Sequence, residues 1–176
     1  MKKIYFIPIV LLVALFSFKS VNNLKVSSND SAIQTGPQFV HLLRYYNAHI
    51  GRHIYTTNPN ELTAASGYVY ENTVGTLYGS GWVSNPTGGI ISAGVYRYYN
   101  SSTRAHFCSL GGTKVPSGFS FEGLLGYQVP YPLFTMNYNV GQYHNPSGDY
   151  FYKTDISTET TPGYTSDGDV FYVTNN

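Results

Sequence analysis

The sequence predicts an all-β domain made of three internal repeats, and three observations carry that expectation. Matched motifs recur in the same order along the chain from residue 38 onward. The runs inside each motif are rich in aromatic and β-branched residues, which suit a pleated, half-buried surface. Clusters of Asn, Pro, Ser and Gly stand between those runs at turn spacing. Composition agrees with this reading: 18 Tyr, 10 Phe and 1 Trp occur among 176 residues, while charged residues make only 11%. Average soluble domains carry roughly 25% charged residues. Disorder is excluded, because it needs low hydrophobicity and high net charge.

Residues 1–28 read as a secretory signal peptide. Lys2 and Lys3 precede an uncharged apolar run from Ile4 to Phe18. That run is short of the roughly 18–20 residues that cross a bilayer core. No stable membrane span is expected after cleavage, and the expected location is extracellular or periplasmic. Cleavage removes four of the 10 basic residues and none of the 9 acidic ones, so a net charge of +1 turns negative. Nucleic acid is therefore not an expected partner, since its backbone is recognised by cations. Residues 29–37 are small, polar and aperiodic, and read as a linker to a single β domain over 38–176.

The three repeats are expected at about 38–80, 94–130 and 134–174. The first holds Arg44-Tyr45-Tyr46-Asn47, then Arg52-His53-Ile54-Tyr55-Thr56, then Gly67-Tyr68-Val69-Tyr70-Glu71. The second holds Arg97-Tyr98-Tyr99-Asn100, Ala105-His106-Phe107-Cys108-Ser109 and Gly118-Phe119-Ser120-Phe121-Glu122. The third is more diverged, with Gln142-Tyr143-His144-Asn145, Asp149-Tyr150-Phe151-Tyr152-Lys153 and Gly163-Tyr164. A Gly-rich insertion at 79–94, containing Trp82, separates the first two copies. Recurrence of ordered anchors is the signature of a repeat architecture.

Within each copy the first two runs are expected to pair as a hairpin over a loop of about four or five residues. Asn58-Pro59 suggests a helical turn beginning there. The tails Val74–Tyr78, Leu124–Val129 and Asp169–Val173 are expected to add one more strand per copy, for three or four strands each. A copy this short cannot bury its own apolar face, so the three must pack together. The expected architecture is β-trefoil-like with pseudo-threefold symmetry; a compact three-bladed β arrangement is the alternative.

The Tyr-Arg-Tyr-Tyr-Asn motif, the His-Phe run and the Gly-aromatic-x-aromatic-Glu motif together resemble an uncharacterised secreted repeat family. That family has no assigned activity and is often appended to extracellular hydrolases and peptidases, mainly of bacteria. The resemblance covers roughly residues 38–174. It implies an extracellular accessory module and no catalytic residue. The third copy departs from the pattern at Gln142 and Tyr150.

Candidate ligand-binding residues are Arg44, Tyr46, Asn47, His53, Trp82, Arg97, Tyr99, Asn100, His106, His144 and Asp149. Two roles are open to Arg44 and Arg97. Each offers a planar donor fork to a ligand, or stacks on Tyr46 or Tyr99 and pairs with Glu71 or Glu122 of its own copy. The recurring His53 and His106 suit a buried structural position, and the His41, His49, His53 group lacks the geometry of a zinc site because a hairpin turn intervenes. Asp167-Gly168-Asp169 lacks the full calcium-loop ligand set and reads as a turn. Cys108 takes a strand slot held by Tyr55 and Tyr152 in the other copies and reads as core. No metal or other cofactor is expected.

These features point first to a non-catalytic, secreted module that binds carbohydrate or a cell-surface glycan through repeated aromatic sites. Tyrosine and tryptophan offer an apolar face with a polar edge, and repetition compensates for weak single sites. A protein-interaction or structural surface module is the alternative. A small extracellular hydrolase is a second alternative, which requires two carboxylates, or a His and a carboxylate, to converge in one pocket.

Overall fold

The computed structural model describes residues 38–79, 93–128 and 137–174. The expected signal peptide, linker, Trp82 and most of the Gly-rich insertion lie outside the described residues. The described residues contain nine strands and no α-helix. They are β1 (Phe39–Asn47), β2 (Arg52–Thr56), β3 (Val69–Tyr78), β4 (Gly94–Asn100), β5 (Ala105–Leu110), β6 (Ser120–Tyr127), β7 (Asn137–His144), β8 (Tyr150–Thr154) and β9 (Thr165–Thr174). All pair antiparallel within one open sheet, in the order β5-β4-β6-β3-β9-β7-β8, with β1 and β2 joined through β3.

The strands fall into three three-stranded units with matching registers. In each, the first strand lies between the other two: β1 between β2 and β3, β4 between β5 and β6, β7 between β8 and β9. The hairpins close at Asn47↔Arg52, Asn100↔Ala105 and His144↔Tyr150. The Asn three residues after Arg44, Arg97 and Gln142 holds each turn. Asn47 Oδ1 accepts from the His49 and Ile50 amides, Asn100 Oδ1 from Ser102 and Thr103, and Asn145 Oδ1 from Asp149. An Asn side chain folding back onto its own loop is a recurrent turn device. Gly118, with φ +85, sits so close to Asn100 that a Cβ would lie 2.8 Å from Nδ2.

Two irregularities recur at equivalent places in all three units. Opposite Leu42, Val95 and Val140 the third strand takes one extra residue, and it does so again opposite Arg44, Arg97 and Gln142. The extra residues of the first set are Val74, Leu125 and Val170, which pack in or against the core. Those of the second set are Glu71, Glu122 and Asp167. A β-bulge re-aims a side chain that regular pleating would send elsewhere. Here the bulge turns a carboxylate toward the central residue of the neighbouring strand.

Some sequence expectations need correction at this level. The tail segments do add one strand to each unit, but these strands begin earlier than expected, at Val69, Ser120 and Thr165. Asp167-Gly168-Asp169 is not a turn; it lies within β9, where Gly168 at φ +96 sits at the bulge. Bulges and turns draw on the same Gly and Asp chemistry. The helical turn forms at Ala64–Ser66 and not at Asn58, whose side chain instead accepts from the Asn60 amide.

The core is built from corresponding positions of the three units. Leu42, Val95 and Val140 are fully buried, as are Tyr55 and Tyr152, with Cys108 in the matching place. Tyr55 and Tyr152 meet edge to face at 4.9 Å. Their hydroxyls satisfy buried backbone: Tyr55 Oη accepts from the Tyr152 amide at 2.8 Å, and Tyr152 Oη accepts from the Cys108 amide at 2.8 Å. Burial raises both phenol pKa values well above the ordinary range, and pushes the Cys108 thiol up to about 12. A thiol held neutral in this way is an inert core residue.

Candidate functional site

Each unit places the central residue of its first strand against the loop of another unit, which creates three comparable junctions. At the first–third junction, Arg44 is only 2% exposed. Its Nε donates to Glu71 Oε2 at 2.8 Å, and its two Nη atoms donate to Glu159 at 3.0 and 2.7 Å. The guanidinium also lies 4.2 Å from the Phe151 ring centre. Burial opposes its charge, but the Glu159 hydrogen bond and the neighbouring negative groups prevail, and the pKa is raised.

The second–first junction repeats this arrangement. Arg97 Nε donates to Glu122 Oε2 at 2.7 Å, Nη2 pairs with Glu61, and Nη1 donates to the Tyr55 carbonyl at 2.7 Å. The Thr56 hydroxyl donates to the same Glu61 carboxylate. Burial would raise the pKa of Glu61, yet the Arg97 and Thr56 hydrogen bonds hold it below the usual carboxylate value. The same-copy Arg–Glu pairs were readable from the sequence. The partners reached across the junctions, Glu159 and Glu61, were not.

A histidine backs each of these networks. His53 Nδ1 lies 2.6 Å from Asp149 Oδ2, and Asp149, fully buried, also accepts from the His53 amide at 2.8 Å and the Tyr164 hydroxyl at 2.7 Å. His106 is buried beside Arg97, and these two influences, burial first, depress its pKa to about 4. Tyr46 lies over His53 with ring centres 4.6 Å apart, and Tyr99 over His106 at 4.9 Å.

The third–second junction departs from this pattern. Gln142 stands where the others have Arg; its Nε2 donates to Asp167 Oδ2 at 3.0 Å and its Oε1 accepts from the Tyr152 hydroxyl at 3.0 Å. Lys114 follows Cys108 by the same spacing that separates Glu61 from Tyr55. The aromatic–histidine pair is inverted, with His144 in the Tyr position and Tyr150 in the His position. His144, its side chain 43% exposed, bonds Asp167 Oδ1 at 2.7 Å through Nδ1.

The consequence is an open cleft. The cavity at this junction measures about 490 Å³, whereas those at the second–first and first–third junctions measure about 120 and 60 Å³. One wall comes from the second unit, with Phe107, Ser109, Leu110, Lys114 and Pro116. The other comes from the third unit, with Gln142, His144, Tyr150, Asp167 and Asp169. The Ser109 hydroxyl is buried with no hydrogen-bond partner, and the side chains of Lys114 and Asp169 form no hydrogen bond or ion pair among the described residues.

The residues expected from sequence to bind ligand are thus distributed unevenly. Arg44, Asn47, His53, Asn100, His106 and Asp149 are buried in internal networks or turns, and Arg97 is engaged by Glu61 and Glu122. Tyr46 and Asn47 flank one cleft of about 550 Å³, Tyr99 and His106 another of about 420 Å³, both beside hairpin turns. His144 alone of the set lines the third–second cleft. The signal for the remaining cleft residues was the break in the repeat itself, Gln142 for Arg and Lys114 for Glu. No group of three or more His, Cys, Asp or Glu side chains suited to a metal ion occurs among the described residues.

A protein family described as a domain of unknown function (DUF5648) matches residues 21–129. The matched stretch includes the first two units and ends before β7. No curated protein and no solved structure matches the chain.

Proposed function

Because the chain belongs to this family of domains of unknown function (DUF5648), we propose its role from the chemistry of the site: an exported, non-catalytic module that binds carbohydrate in the third–second cleft. The supporting observation is that, of the three equivalent central residues, Gln142 faces a wide cleft where Arg97 and Arg44 face cavities of about 120 and 60 Å³. This cleft is lined by Tyr150 and by the unpartnered Ser109 hydroxyl. Tyr150, half-buried and backed by the buried Phe107, supplies a face for a sugar ring, and Gln142, His144, Asp167 and Asp169 supply donors and acceptors for its hydroxyls. Binding sites generally combine apolar lining with a few placed polar groups in this way. The ligand in this reading is a cell-surface glycan or polymer, and the module acts as an accessory to a separate extracellular hydrolase.

The same proposal takes the three units to pack round a shared axis in a trefoil-like body. Arg52 of the first unit supports it: the guanidinium donates to the Thr103 carbonyl and the Ser147 carbonyl, each at 2.8 Å, and so ties together the three hairpin turns.

A glycan array followed by calorimetry tests the function. Tyr150→Ala is expected to lose binding and Tyr99→Ala to keep it. Loss in Tyr99→Ala alone moves the site to the second hairpin, and absence of binding to every glycan overturns the reading.

Two observations favour other readings. His144 and Asp167 converge in the cleft that Ser109 also lines, which is the residue set of a hydrolase. Against it, the Ser109 hydroxyl has no hydrogen-bond partner and so does not engage His144. Turnover of ester or glycoside substrates that disappears in Ser109→Ala would establish it. Val69 and Phe121, 69% and 62% exposed near the starts of β3 and β6, favour a protein-binding surface; a partner lost on Phe121→Ser would establish that.

A further inference from the structure

Resting on the carbohydrate reading, we infer that the third–second cleft selects a sugar that carries a carboxylate, a hexuronate-type residue. The inference comes from what this junction lacks beside its neighbours. At the second–first junction the Glu61 carboxylate fills the space between the units and is held by the Thr56 hydroxyl and the Arg97 guanidinium. At the first–third junction Glu159 does the same on Arg44. Both closed junctions therefore have a carboxylate at their centre, supplied by the chain.

At the third–second junction the carboxylate is gone and its surroundings remain. Ser109 occupies the place of Thr56, next after the core residue opposite the central position, and is 1% exposed with its hydroxyl unpartnered. Lys114 brings a positive charge at the spacing where Glu61 brings a negative one, and it has no internal anion. A ligand carboxylate completes this wall as Glu61 completes the other, by accepting from a hydroxyl and an ammonium group.

The opposite wall asks for hydroxyls. Asp167 is already held by Gln142 and His144, which offset its charge and leave lone pairs for further donors. Asp169 is exposed at the rim. Two carboxylates facing a sugar accept from its hydroxyl groups, while they would repel a carboxylate placed on their own side. The ligand is thus oriented, with its acid toward Ser109 and Lys114 and its hydroxyls toward Asp167 and Asp169. A neutral sugar leaves the first wall unsatisfied, and a simple carboxylate such as acetate leaves the second.

Calorimetric titration of the folded chain with oligogalacturonate, and with the same oligosaccharide after reduction of its carboxyl groups, tests the inference. The acidic form is expected to bind at least roughly tenfold more tightly, the scale of one charge-assisted hydrogen bond. Lys114→Ala is expected to remove that preference, so that the acidic and reduced oligosaccharides bind the variant equally. Galacturonate monomer competes for the same cleft, and a higher affinity of the oligomer marks a polymer as the source. Equal binding of both oligosaccharides, with loss of both in Tyr150→Ala, overturns the carboxylate inference and leaves the carbohydrate reading standing. Binding of a broad panel of neutral and acidic glycans by neither wild type nor variant overturns the two together. The double variant Gln142→Arg, Lys114→Glu rebuilds a closed junction and is expected to bind neither sugar while keeping its circular dichroism spectrum; retained binding contradicts the inference.

Discussion

The first–third and third–second junctions are built from equivalent strands in matching register, and they differ at their centres in a few side chains. Where Arg44 meets Glu159, the units are closed over a cavity of about 60 Å³; where Gln142 and Lys114 take those places, about 490 Å³ opens. The difference shows how a repeated scaffold acquires a site without new secondary structure. A buried ion pair contributes little net stability against a well-packed alternative, but it is costly to break on one side. Two junctions carry that device, and the third has exchanged it for accessible polar groups.

The largest effect that would break this comparison is removal of a closing arginine. Arg44→Met leaves Glu71 and Glu159 without their cation and is expected to cost about 3 kcal/mol in urea unfolding. Gln142→Met, at the matching place, is expected to cost about 1.5 kcal/mol, because an uncharged amide gives up one hydrogen bond to the Asp167 carboxylate and one from the Tyr152 hydroxyl. Equal costs would mean that the junctions do not differ as described.

An effect of similar order belongs to pH. The fold holds His106 neutral down to about 4, through burial and the Arg97 charge, whereas the unfolded chain protonates it near 6.5. Its contribution is therefore whole above pH 6.5 and is lost as pH falls toward 4, amounting to on the order of 3 kcal/mol. Unfolding measured across that window in wild type and His106→Gln isolates it: the variant is expected to show the shallower decline. The third unit has Tyr150 at this position and adds no such dependence.

Smaller effects sharpen the comparison. Closing the open junction with Gln142→Arg and Lys114→Glu is expected to raise stability by about 1 kcal/mol or less, since the new pair is half-exposed. Lys114→Ala alone is expected to leave the melting behaviour within about 0.5 kcal/mol of wild type. A large loss there would assign Lys114 to the fold and remove it from the site.

Much of this molecule was legible in its sequence because its local partners sit at fixed spacings. Arg44 and Glu71, like Arg97 and Glu122, recur together, and the hairpin turns announce themselves through Asn47, Asn100 and Asn145. The loop carboxylates Glu61 and Glu159 were not legible as partners, because they meet arginines of another unit and only the packing brings them there. The bulges were hidden for a different reason: Asp167-Gly168-Asp169 has the composition of a turn, and nothing local distinguishes a bulge within a long strand from a strand end. Repetition also misled. Residues matched between the first two copies, such as His53 and His106, proved to be buried in the framework, while the cleft formed where the third copy diverged at Gln142, His144 and Tyr150.

The central claim, that the divergent junction is the binding site, is tested most directly by NMR titration of the isotopically labelled chain with oligogalacturonate. The expected result is a saturable shift of the Gln142, His144, Tyr150 and Lys114 signals, with those of Tyr46, Tyr99 and Arg97 unmoved. Shifts confined to Tyr46 and Tyr99 would place the ligand beside the hairpin turns and contradict the account.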